Sequence, residues 1–109
     1  MNTYRGVIVR ESLRDPSALE AFQIESEEHD IESDWHLVTV TGPRSAIEQL
    51  PAALADGPWY IHFWHDQDVL VVFKDGIYPL RHNDRSTWSP ALEHGRALGI
   101  PEEQLDFPI

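Results

Sequence analysis

Histidine and carboxylate spacing is where chemistry would show first in this chain. His62 and His65 form a His-x-x-His pair. On a helix, that spacing puts two imidazoles on one face; on a strand, it puts them on opposite faces. The run from Pro58 to His65, Pro-Trp-Tyr-Ile-His-Phe-Trp-His, reads as a strand, so the pair is not a chelate. His62 and His82 do share a face, but two strands apart, roughly 12 Å by ordinary sheet spacing. That is too far for one zinc, whose ligands sit at about 2 Å. No metal site and no cofactor are therefore expected. Asp30-Ile31-Glu32-Ser33-Asp34 alternates carboxylates as a calcium loop begins. Trp35 and His36 then stand where such a loop needs its turn glycine and further ligands, so the segment reads as a solvated acidic loop. Without cysteine there is no thiolate nucleophile, thiolate metal site or disulfide. The sequence has no Gly-x-Ser-x-Gly elbow and no glycine-rich phosphate loop. What remains for catalysis is His62 as a general base among Tyr60, Trp64 and Tyr78.

The richer signal is aromatic. Between Pro58 and His82 lie Trp59, Tyr60, Phe63, Trp64, Phe73 and Tyr78, six of the eleven aromatic residues, with Trp88 close behind. Asp66-Gln67 and Asp75-Gly76 break this stretch into three strands. An Asp-Gly pair suits a two-residue hairpin turn with positive φ at both central positions. That places Lys74 opposite Ile77, Phe73 opposite Tyr78 and Val71 opposite Leu80. A tight first turn sets Trp64 against Val69, His62 against Val71 and Tyr60 against Phe73. Alternation then sorts the side chains. Trp59, Ile61, Phe63, His65, Leu70, Val72, Lys74, Ile77, Pro79 and Arg81 form a core face suited to helices. Tyr60, His62, Trp64, Val69, Val71, Phe73, Tyr78, Leu80 and His82 form a second face, also apolar but with polar tips. A solvated face would be polar throughout, so something must cover this one. Tyrosine and tryptophan suit interfaces and pockets alike. Three coverings compete: another part of the chain, a second copy, or a small ligand. Tyr60, His62, Trp64, Phe73, Tyr78 and His82 are the candidate binding or interface residues.

The elements that position them follow in order. Tyr4–Glu11 reads as a strand, with Gly6 marking close approach of another backbone. Asp15-Pro16 caps and starts a short helix anchored by Leu19 and Phe22. Residues 22–28 alternate as a half-buried strand, and a long acidic loop leads to the strand Trp35–Thr41. Ala46, Ile47, Leu50 and Leu54 recur at helical spacing, with a kink or restart at Pro51. After the meander, Ser86 or Ser89 caps a last helix to Leu98, in which Gly95 packs on the sheet. Gly99 and Pro101 end it. Leu105, Phe107 and Ile109 would pin the tail. The order β-α-β-β-α-β-β-β-α predicts an α+β domain spanning residues 1–109. It has a mostly antiparallel sheet of five to six strands, helices on one face, and a ferredoxin-like core in its first six elements.

The net charge of −11 argues against nucleic acid and anionic membrane surfaces as partners. No basic-then-apolar leader or long apolar run is present, so cytoplasmic localisation is expected. The tail, Thr87-Trp88 through Gly95 to Gly99-Ile-Pro-Glu-Glu-Gln-Leu-Asp-Phe107, together with the meander, resembles a family of small prokaryotic single-domain proteins of no assigned function. The resemblance covers the last half of the chain and implies no activity. The sequence reading is a small acidic protein that is not assigned as an enzyme. It acts by binding or self-association, as a homodimer, through the aromatic face. The alternative is a small enzyme or ligand-binding protein with His62 in an aromatic pocket.

Overall fold

The computed structural model describes residues 3–105. Its strands are β1 (Thr3–Val9), β2 (Gln23–Asp30), β3 (Trp35–Pro43), β4 (Ile61–His65), β5 (Asp68–Phe73) and β6 (Gly76–Arg81). Its helices are α1 (Arg44–Ile47), α2 (Leu50–Ala53) and α3 (Ser89–Ala97), with 3-10 turns at Arg10–Ser12, Pro16–Ala21, Arg85–Thr87 and Glu102–Gln104. The strands form one six-stranded sheet in the order β2-β3-β1-β4-β5-β6, and every neighbouring pair is antiparallel. The architecture is α+β.

Two cores lie on opposite faces of this sheet. On the first face, Tyr4, Ile8, Val38, Val40, Ile61, Phe63, Leu70 and Val72 meet Leu19, Ile47, Leu50 and Leu54. On the second, Val69, Val71, Phe73 and Leu80 meet Trp88, Ala91, Ile100 and Leu105. Helices therefore cover both faces, not one as the sequence order implied. β5 runs between the two cores and is buried from Val69 to Phe73.

Local chemistry explains the elements. Gly6 sits where β1 and β4 touch; a Cβ there would lie 2.5 Å from a Phe63 ring carbon and 2.8 Å from the His62 carbonyl. The Asp15 carboxylate caps the 3-10 turn Pro16–Ala21 by accepting from Ser17 N–H, with Pro16 at its start. Pro51 divides the expected single helix into α1 and α2, because it fits only the first turn of the second. α3 has no side-chain cap; Asp84 instead caps the preceding 3-10 turn through Ser86 N–H. The Trp88 indole donates to the Arg81 carbonyl at 2.8 Å, which fixes α3 to the end of β6.

Four expectations are corrected. The β5–β6 register is offset by two: Val71 faces Tyr78, Val69 faces Leu80 and Phe73 faces Gly76. Lys74-Asp75 forms the turn, and Gly76, with positive φ, opens β6. An even offset leaves every side chain on its assigned face. β2 is exposed along its whole length rather than half-buried, because it is an edge strand and the helices do not reach over it. The acidic loop is shorter than expected: β2 runs on to Asp30, and only the turn 31–34, in which Asp34 takes positive φ, joins it to β3. Gly95 packs not on the sheet but against Leu105, 2.8 Å from its ideal Cβ. Phe107 and Ile109 lie outside the described residues.

The β2–β3 hairpin is stapled to the turn after β1. Arg10 makes a two-pronged bond to Glu27 at 2.8 and 3.1 Å. Glu11 accepts from the His36 N–H and ring at 2.7 Å each. These hydrogen bonds hold the Glu11 carboxyl below its ordinary value of 4.5, and the Arg10 bond does the same to Glu27. A carboxyl lowered in the folded state stabilises above its unfolded pKa, and that stabilisation is lost as pH falls through the folded value. Urea midpoints of Glu11→Gln and Glu27→Gln should thus lie below wild type at pH 7 and converge on it as the pH falls through the lowered folded values. Gly6→Ala should destabilise by about 1–3 kcal/mol in the same assay, since the His62 backbone has no room to yield.

Candidate functional site

The first structural question is which part of the second face stays open. α3 and the tail cover β5 and β6, and Trp64, Tyr78, Leu92 and Leu98 pack around that core. Across β1, β3 and β2 no helix among the described residues packs on this face. By register, Val7, Thr39 and Ser26 stand in one row, and Val9, Leu37 and Glu28 in the next. Trp35 and Asp30 form a third pair at the hairpin end. Val7, Val9, Leu37 and Thr39 are only half-buried.

A groove opens where the two halves meet. β1 and β4 pair at Arg5–Trp64 and Gly6–Phe63 and separate beyond these positions. The resulting cavity of about 400 Å³ is lined by Val7, Val9, Trp35, Pro58, Trp59, Tyr60, Ile61, His62 and Gln104. A second hollow of about 250 Å³ continues it between Trp35, Pro58, Trp59, Pro101 and Gln104. Together they reach the size range of small-molecule sites.

Each wall has a local origin. Trp59 lies before β4 begins, and its N–H donates to the Gly57 carbonyl at 2.9 Å. It therefore escapes the strand alternation that assigned it to the core face. Its ring meets that of Trp35, with centroids 5.2 Å apart and planes at 57°. Trp35 projects from the start of β3 and is 37% exposed. Tyr60 donates its hydroxyl to the Gln104 carbonyl, which ties the tail to the rim. The His62 ring lies 5.3 Å from Trp64 at 30° and 6.3 Å from Tyr60 at 34°.

The structure brings two of the candidate residues, Tyr60 and His62, into the groove. Trp64 flanks His62 on the same face. Phe73 is fully buried, and Tyr78 packs edge-on against it at 5.6 Å. His82 stands apart at the end of β6, its ring 5.9 Å from Trp88. His65 points to the opposite face, where its ring meets Tyr4. Trp35 and Trp59 were missed as site residues. The signal for Trp59 was Gly57-Pro58, a pair that delays the strand; Trp35 is near only through strand order. Among the described residues, no three histidine or carboxylate side chains gather in a way that would hold a metal ion.

Compared with protein-family models, curated proteins and solved structures, the chain matches none of them. The groove is thus read from its own residues.

Tyr60→Phe removes the bond between rim and tail. It should cost about 0.5–1.5 kcal/mol in urea unfolding. It should also speed amide exchange at Gln104 and Leu105 without affecting β5.

Proposed function

We propose that the protein is a cytoplasmic binding protein whose groove between Trp35, Trp59, Tyr60 and His62 takes a small, flat, largely apolar molecule. The observation that carries this reading is the meeting of two indoles over a hollow floored by Val7 and Val9. Large rigid rings around an apolar floor give binding area at little entropic cost. His62 serves in this reading as a polar edge that orients the ligand. The order β2-β3-β1-β4, with helical segments between β1 and β2 and between β3 and β4, supports a ferredoxin-like core extended by β5 and β6. In that reading, the groove lies within the core, where β1 and β4 part.

A second reading is self-association through the open half-face. The half-buried row of Val7, Val9 and Leu37 favours it. Both sheet edges resist strand pairing: β2 carries Glu25, Glu27, Glu28 and Asp30 and a bulge after Ile24, and β6 carries Pro79. A second copy would therefore dock face to face. A two-chain mass by light scattering that returns to one chain in Leu37→Glu would establish it.

The groove reading is tested by protein-observed NMR with a set of neutral, cationic and anionic fragments. Binding fragments should shift the Trp35 and Trp59 indole N–H signals and the Val7 and Val9 methyls. The Trp88 indole, bonded to Arg81 and only 2% exposed, should stay unmoved. Hits that cluster elsewhere, or no hits at all, would overturn the reading.

A further inference from the structure

We infer that the groove selects a small organic cation carrying a methylated ammonium group, an inference that rests on the groove being the binding site. Three observations point this way. First, the lining offers ring faces: Trp35 and Trp59 tilted at 57° make two walls, and Tyr60 adds a third ring. The negative face of an aromatic ring attracts a cation, and tryptophan does so best. Second, the charged residues that the register sets beside Trp35 and Leu37 are acidic. Its lining contains no lysine or arginine. The register places Asp30 beside Trp35 and Glu28 beside Leu37 on the same face, and the chain carries −11 overall. Arg5, at the far end of β1, is paired with Glu25 at 3.8 Å. Such a field draws cations and repels anions.

Third, the polar atoms of the groove limit the kind of cation. The Tyr60 hydroxyl has given its proton to the Gln104 carbonyl and keeps only its oxygen lone pairs to offer. A primary ammonium entering this hollow needs three acceptors to replace its water. The floor and indole walls offer none, and the polar atoms sit on one side at Tyr60, His62 and Gln104. A quaternary ammonium has no N–H to satisfy and spreads its charge over methyl groups that pack on rings. Its chemistry matches a wall of indoles flanked, not lined, by carboxylates.

The test uses choline and its uncharged isostere 3,3-dimethyl-1-butanol on the full chain, read by NMR shifts at Trp35 and Trp59. Choline should bind about tenfold or more tightly than the isostere, and less tightly as salt is raised. Trp59→Leu keeps an apolar wall but removes the ring face; it should weaken choline about tenfold and the isostere by less, narrowing the gap between the two probes. Equal binding of the two probes in the groove would overturn the choice of a cation and leave the groove reading standing. The same holds if neutral fragments bind there and choline does not. Failure of choline together with every fragment would overturn both. The wild-type comparison decides the matter even if the variant folds poorly.

Discussion

A strand with apolar side chains on both faces has to be covered twice, and β5 is that strand. Val69, Val71 and Phe73 point one way, Leu70 and Val72 the other, and all five are buried. Each such side chain gains about 1.5–3 kcal/mol from leaving water, so neither covering layer is dispensable. The first layer comes from α1, α2 and the 3-10 turn before β2. The second comes from the C-terminal segment, which is why Trp88, Ile100 and Leu105 are buried so late in the chain.

The second layer is narrower than the sheet. Six strands spaced at about 4.8 Å span roughly 24 Å, while one helix with its side chains is about 10 Å wide. Among the described residues, α3 and the segment up to Leu105 cover β5, β6 and the near side of β4. The far half of the face is left to Val7, Val9, Leu37, Thr39 and Thr41, a mixture that water tolerates. The groove is the step between the covered and uncovered halves. Its position follows from where β1 and β4 part after Gly6, and its wall from the tail bond at Tyr60. The groove arises here from a shortage of covering chain, not from a dedicated loop.

Much of this arrangement is legible in the sequence. The period-2 pattern from Tyr60 to Leu80 assigns each side chain to the face it occupies, even though the hairpin turn sits one residue earlier than Asp-Gly implies. Faces survive because the register error is even. Asp15-Pro16 and Pro51 mark helix starts because each depends only on neighbours along the chain, and Gly6 marks a close contact although its partner strand, at His62 and Phe63, is remote in sequence. The helical layer on the second face is less legible. α3 has an apolar stripe either way, and nothing local says which side of the sheet it lies on. The solvent exposure of β2 is hidden for a similar reason: alternating residues look half-buried until strand order puts them at an edge. Trp35 and Trp59 come together only through the tertiary fold, so their shared role had no sequence signal beyond the Gly-Pro that precedes Trp59.

The central claim is that the chain covers one half of its second sheet face and leaves the other bare. Methyl NMR with a soluble paramagnetic agent in dilute solution tests it most directly. The account predicts strong relaxation of the Val7, Val9 and Leu37 methyls and protection of those of Val69, Val71 and Leu80. Protection of Val7 and Leu37 would contradict it, because the face would then be covered. Relaxation of Val69 and Val71 would contradict it equally, because the C-terminal layer would then not be in place.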